Sequence, residues 1–233
     1  MKPDQFRRRE QRKLLRLVVV AACLIVGVSS HLQSHAADID QAISVLNADQ
    51  LKFLEQKRLL PRAELYLREE PLTVTAFGAE RSAGGINDFY SEGDYWWPDP
   101  GNPDGPYIRR DGVSNPENFV EHRRAMVRLS DIIGTLTSAY LITGESRFAV
   151  HAGDHLAAWF INPATKMNPS LNYGQAIKGK VEGRSIGVID TIHLTEVARG
   201  AQILGEMGAL PRTQFDQVKS CLLYTSPSPR DAR

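Results

Sequence analysis

The chain has 233 residues, 42% hydrophobic and 24% charged, with a formal net charge of +1, which is ordinary for a globular protein and enough for one sizeable domain. Its two cysteines, Cys23 and Cys221, sit near the ends, so residues 38–220 hold no disulfide framework, thiolate metal site or cysteine nucleophile. Those residues carry 19 Lys/Arg against 24 Asp/Glu, net −5, which makes a generic nucleic-acid binder a poor fit.

Seven Lys/Arg between Lys2 and Arg16 precede an apolar run from Leu17 to Val28, and a polar stretch then ends in Ser34-His35-Ala36-Ala37. A basic start, a short apolar middle and a small-residue exit make residues 1–37 a secretory signal peptide, cleaved after Ala36 or Ala37. The 12-residue apolar run is short for a bilayer span. Cys23 lies inside that run, which continues past it and weakens a lipid-attachment reading. A periplasmic or secreted protein is expected, with no stable membrane association once the signal is removed.

From Asp38 to Glu70 helix formers dominate, and Pro61 suits the first turn of a helix through Arg62 and Tyr66. Pro71 to Gly78 breaks the pattern. Between Thr73 and Asn115 no helical stripe appears and Gly and Pro recur, so this long stretch reads as neither helix nor sheet. Asn115-Pro116-Glu117 then predicts a capped helix whose stripe is Phe119, Met126, Leu129, Ile133, Leu136 and Tyr140, closed by Gly144. Ser146 opens a second helix, with Phe148, Ala152, His155, Leu156 and Trp159 inward, ended by Asn162-Pro163. After a polar loop, Asp190-Thr191 are expected to cap a third helix with stripe Leu194, Val197, Ala198, Ala201 and Leu204. Gly208 ends it, and Pro211 starts another. No alternating strand pattern competes, so the class is all-α, with successive antiparallel pairs suggesting an α/α solenoid or toroid.

The aromatic loop YSEGDYWWPDPGNPDGPYIRR, residues 90–110, offers Tyr90, Tyr95, Trp96, Trp97 and Tyr107. Such rings match the CH face of a pyranose and bond its hydroxyls, or else pin a long loop to the helices. Arg109 and Arg110 can fork a carboxylate, or pair with the loop's own acids. Asp94, Asp99 and Asp104 are either a carboxylate pair for glycoside hydrolysis or turn formers. A second polar loop carries Asn172, Tyr173 and Gln175, followed by Lys178, Lys180 and Arg184; amide plus guanidinium suits a substrate carboxylate, with a solvated basic loop as the plain alternative. His122, His151, His155 and His193 all fall in predicted helices. His151 and His155 are spaced i, i+4, but no third ligand accompanies them, so core or capping roles are expected.

At YSEGDYWWPDPGNPDGPYIRRDG, NPENFVEHRRAM and MNPSLNYGQAIKGKVEGRSIGVIDT the sequence resembles the alginate-lyase domain family, from about Leu65 to about Gly208. The resemblance implies an incomplete (α/α) toroid and β-elimination at uronate residues of alginate or a related acidic polysaccharide, with no metal or other cofactor. It implies a carboxylate neutralised by donors such as Asn, His or Arg, a Tyr or His base at C5 and a Tyr acid at O4. The family's Asn-His pair has no counterpart, since no histidine here follows an asparagine; catalytic residues are therefore unassigned. Substrate contacts fall to Asn172, Tyr173, Gln175 and Arg184, and to Tyr95, Trp96, Trp97, Arg109 and Arg110. A glycoside hydrolase on the same architecture and a non-catalytic glycan-binding protein are the rival readings.

The final stretch, CLLYTSPSPRD from Cys221 to Asp231, has no helical period and resembles a sequencing-library adaptor translated in frame, a genuine Pro/Ser-rich tail being the alternative. On that reading residues 221–233 are an irregular artefact, the native protein continues past Ser220, and residues 38–220 are an inactive N-terminal part of the toroid.

Overall fold

The computed structural model describes residues 48–224; the expected signal peptide and residues 225–233 of the tail lie outside them. The chain divides into two units, 1–54 and 55–233, and the second holds the helical core and the site. Helix α1 (Ala48–Tyr66) has Pro61 in its interior rather than in its first turn, forgoing one i→i−4 bond. Helices α2 (Glu121–Thr143), α3 (Ser146–Phe160), α4 (Leu194–Glu206) and α5 (Arg212–Tyr224) form the core, with α2 packed on α3 and α4, and α5 packed on α3 and α4. By length and hydropathy α2 alone among the described helices is able to cross a membrane, yet its apolar face is spent on this core.

The helical stripes place the core. Met126, Leu129, Ile133 and Leu136 of α2 are buried against Phe148, Ala152, Leu156 and Trp159 of α3 and Val197, Ala201 and Leu204 of α4. Ala198, expected on the α4 stripe, is exposed instead. Gly144 ends α2 at φ 74°, its N–H donating to the Tyr140 carbonyl at 2.8 Å. Helix α5 runs four residues past Ser220, and Cys221 and Leu222 pack half-buried on the core, so the first part of the segment expected to be irregular is helical.

Close packing of α4 on α2 depends on Gly200, where an added Cβ would lie 2.5 Å from Ile133 Cγ2 and 3.0 Å from Thr137 Oγ1. A β-branched side chain on a helix has almost no rotamer to escape into. Gly200→Ala is therefore expected to destabilise by about 1–3 kcal/mol from overpacking, exceeding the roughly 1 kcal/mol of helix propensity gained. Urea unfolding checks this; a more stable variant would show that the two helices have room to move apart.

Helix α3 also explains its histidines. Nε2 of His151 and of His155 both donate to the Glu69 carbonyl, at 3.0 and 3.1 Å, and Trp159 Nε1 donates to the Leu72 carbonyl at 2.9 Å. These i, i+4, i+8 donors hold the chain that follows α1. His122 ties two segments together in a comparable way. Its Nδ1 accepts from the Tyr90 N–H at 3.0 Å, so Nε2 carries the proton and donates to the Phe77 carbonyl at 3.1 Å. Burial pushes His122 and His155 below the ordinary histidine value of 6.5, with His151 adding to the effect at His155. A base with a depressed folded-state pKa gives stability that is complete above its unfolded value and is lost as pH falls through the folded one. Stability is thus expected to drop from pH 7 to pH 5, and less steeply in His155→Gln; urea midpoints across that range are the measurement.

The segment 73–115, expected to lack sheet, holds three short strands, and the second polar loop holds a fourth. These are β1 (Tyr90–Glu92), β2 (Trp96–Trp97), β3 (Ile108–Arg109) and β4 (Tyr173–Ala176). β1 pairs with β4 in parallel, and β2 with β3 antiparallel. Strands of two to four residues are too short to display a period of two, so alternation gives no warning of them.

Helix α2 starts at Glu121, not near Asn115. Asn115 is buried in the loop: its amide donates to the Trp96 carbonyl at 2.9 Å and its oxygen accepts the Glu117 N–H at 3.0 Å. That is an Asx turn that secures the aromatic loop rather than a helix cap. Likewise Asp190 and Thr191 end a 3-10 segment, Ser185–Thr191, and α4 begins only at Leu194 with His193 in the turn before it.

Candidate functional site

Strand register sorts the aromatic loop. In the β2–β3 ladder Trp96 lies opposite Arg109 and Trp97 opposite Ile108. Opposed residues share a face and neighbours along a strand do not. Trp96 and Arg109 accordingly line one cleft, of about 590 Å³. Trp97 turns away, its indole N–H donating to the Val113 carbonyl at 2.8 Å with the Arg110 guanidinium 5.0 Å above its ring. Trp97 and Arg110 therefore pin the loop. Tyr90 and Tyr107, offered by the sequence as sugar-facing rings, are buried.

The other wall comes from β4 and the 3-10 segment. Between the paired positions Tyr90–Tyr173 and Glu92–Ala176 the register shifts, since β4 has one residue more than β1 across the interval. Gln175 sits in this bulge at φ 54°, the one non-glycine residue with positive φ among the described residues. Bulges re-aim side chains, and a left-handed residue with a Cβ is a strained conformation that neighbours must hold in place. Here the neighbours are Gly174 and Gly187, whose backbones meet so closely that a Cβ on Gly187 would lie 3.1 Å from Gly174 Cα. That approach brings the 3-10 segment, and Asp190 on it, against Gln175.

A buried network follows. Gln175 Nε2 donates to both carboxylate oxygens of Asp190 at 3.0 Å, and Ser91 Oγ donates to Asp190 Oδ2 at 2.5 Å. Ser91 Oγ in turn accepts the Gln175 N–H at 2.8 Å. Arg123, on α2, bridges Asp190 at 3.3 Å and Asp94 at 2.9 Å. Burial works against the Arg123 charge, and the two carboxylates more than offset it, raising its pKa. Asp94 is thereby an ion-pair partner. Asp99 accepts the Gly101 N–H at 2.9 Å as a turn former, and of the three loop acids Asp94 is the one that lines the cleft.

Arg184 is held differently. Its Nε donates to the Gln175 carbonyl at 2.7 Å and its Nη2 to Gln175 Oε1 at 3.0 Å, and these are the hydrogen bonds of its guanidinium among the described residues. A neutral residue thus grips the cation from one edge and leaves its charge uncancelled. Burial and the neighbouring Arg109 lower the pKa of Arg184, as expected for a cation set beside another. A Cβ on Gly93 would meet both Arg184 Nη2 and Trp96 Cδ1 at 2.7 Å, so guanidinium and indole converge over that bare backbone. Tyr95, His193, Ile186 and Ile189 complete the cleft.

Of the nine residues expected to contact substrate, the cleft collects Tyr95, Trp96, Arg109, Gln175 and Arg184. Asn172 is exposed outside the cleft lining, and Tyr173 is half-buried, its ring against Gly84. Arg123 and Ser91 escape the sequence reading, while Asp190 and His193, expected to cap or pack a helix, belong to the site instead. Arg123 left one trace: it falls i+4 from Phe119 and i−3 from Met126, a cation on an apolar stripe.

The family model for alginate lyase matches residues 73–222, which include every residue of the cleft. The chain belongs to the alginate lyase family. A solved structure, that of an alginate lyase from Bacteroides ovatus, is similar with 36% identity and a TM-score of 0.66 over 72% of this chain. The match spans 45% of that longer chain. No curated protein sequence matches. The family member described here is mostly helical, with its few short strands confined to the loops that build the cleft.

Proposed function

We propose that this chain carries the substrate-gripping part of a secreted or periplasmic polysaccharide lyase that cleaves alginate or a related uronate-rich glycan by β-elimination. The observation that carries the reading is Arg184, a half-buried guanidinium bonded to a neutral glutamine and set beside Arg109 in an open cleft. Arg184, which has no carboxylate partner among the described residues, and Arg109, whose pair with Asp111 at 2.9 Å is exposed to solvent and weak, suit a pyranose that bears a carboxylate: the ring stacks on Trp96 while the carboxylate meets the guanidinium groups. Neutralising that carboxylate acidifies the C5 proton, which is the electrostatic part of the elimination. Tyr95 and His193 line the same cleft, outside the ion-paired network.

The Asn-His pair implied by the family resemblance is absent from residues 38–220, so these residues are proposed to bind without turnover as part of a larger toroid. A glycoside hydrolase is the weaker reading, because Asp94 and Asp190 both pair with Arg123 rather than standing free as acid and base. The test is titration of the protein with an oligouronate and with its carboxyl-reduced counterpart, followed by tryptophan fluorescence. Quenching by the acidic sugar at lower concentration than by the reduced one is expected; equal response overturns the reading. Unsaturated uronate absorbing in the near ultraviolet, made by residues 38–220 alone, would overturn the claim that they bind without turnover.

A further inference from the structure

Arg184 is aimed by Gln175, and the orientation of Gln175 is itself determined. An amide presents an oxygen that only accepts and a nitrogen that only donates. The Asp190 carboxylate, paired with Arg123, accepts, so it takes the nitrogen, at 3.0 Å to each of its oxygens; Arg184 only donates, so it takes the oxygen, at 3.0 Å. Both neighbours therefore demand the same rotamer. Asp190 is 3% exposed and tied to three other segments, through Ser91 on β1, Gln175 on β4 and Arg123 on α2. Its charge is balanced by Arg123, and the neutral amide between it and Arg184 transmits orientation without cancelling the outer cation.

Resting on the proposed uronate site, we infer that Asp190 is a positioning residue: through the Gln175 amide it aims the Arg184 guanidinium into the cleft. An aspartate, rather than an asparagine, is required for this. The amide of an asparagine at this position would offer a donor as well as an acceptor. Gln175 would then satisfy that donor by turning over, and its own N–H groups would face Arg184, donor against donor. The bulged, left-handed backbone at Gln175 has its N–H on Ser91 and its carbonyl on Arg184, so the side chain can turn over while the strand stays in place.

The experiment measures affinity of the full chain for an oligouronate and for the same oligosaccharide with its carboxyls reduced. Asp190→Asn is expected to weaken acidic binding about tenfold, the scale of one charge-assisted hydrogen bond, while the reduced sugar binds as before. A purely structural role would weaken both. Gln175→Met should give the same loss, and Asp190→Asn added to it should give no more, because both act along one path. An unchanged acidic-to-reduced ratio in Asp190→Asn, or losses that multiply in the double variant, overturns the inference. Should Asp190→Asn not fold, Gln175→Met decides alone: a retained ratio is fatal and a tenfold fall supports it. A ligand-free arm separates this inference from the site reading. Phenylglyoxal modification of Arg184, mapped by mass spectrometry, should change in Asp190→Asn while that of Arg109 does not. If the parent protein ignores the carboxyl group, the uronate reading fails, and the modification rates alone uphold or sink the positioning role.

Discussion

Replacing Glu92 by alanine is expected to cost about 3 kcal/mol of stability. Its carboxylate is buried and is used from every side. Arg81 forks it at 2.7 and 2.5 Å, the Tyr90 hydroxyl donates to it at 3.0 Å, and the Phe119 N–H donates at 2.7 Å. Alanine would strand the tyrosine hydroxyl and the backbone N–H in a place water reaches poorly, and unpaired buried donors cost roughly 1–3 kcal/mol each. The Arg81 share is discounted, because that side chain is 39% exposed and water can solvate it when the pair is lost. Burial and the adjacent Glu92 push the Tyr90 pKa up, so the hydroxyl stays protonated and stays a donor. Glu92→Gln keeps an acceptor of the same shape and should lose about half as much. Denaturant unfolding of the two variants is the check. A loss below about 0.5 kcal/mol for alanine would mean that water replaces the carboxylate, and that β1 is not fastened to the start of α2 in this way.

That fastening marks where sequence reading succeeds and where it stops. The helices α2, α3 and α4 were legible because each presents a long apolar stripe, and burial of Met126, Leu156 and Val197 follows from spacing alone. The loops were legible only in composition. Trp96 and Trp97 are equivalent as letters, and only pairing with Arg109 and Ile108 sends one to the cleft and the other to the Val113 carbonyl. Asp190 reads as a helix cap since acids favour that position. Its actual partners, Ser91 and Arg123, are remote in sequence, and no local pattern links them to it. Gln175 stands out in the sequence for its amide, yet its effect depends on a one-residue bulge that no residue type announces. Contacts that depend on register and on distant partners are the ones the sequence leaves unread.

Arg184→Ala tests the charge at the centre of the cleft. Binding of an oligouronate is expected to weaken by about tenfold to a hundredfold, corresponding to roughly 1.5–3 kcal/mol for a charge-assisted hydrogen bond. The carboxyl-reduced sugar, which keeps the stacking surface of Trp96, should lose little. Arg184→Lys is the informative companion. The Gln175 carbonyl and Oε1 grip the Nε and Nη2 edge of the guanidinium at 2.7 and 3.0 Å, and a lysine ammonium has no second edge left to present once it is held there. Lysine should therefore restore charge but not affinity. A like-charge neighbour sharpens the expectation: Arg109 disfavours the Arg184 charge while the cleft is empty, and a bound carboxylate relieves both cations together. Raising salt should then weaken acidic binding in the parent more than in Arg184→Ala. Isothermal titration at two salt concentrations reads all of this. Full acidic affinity in Arg184→Ala would show that the cleft does not use this guanidinium, and the carboxylate would have to be met by Arg109 alone.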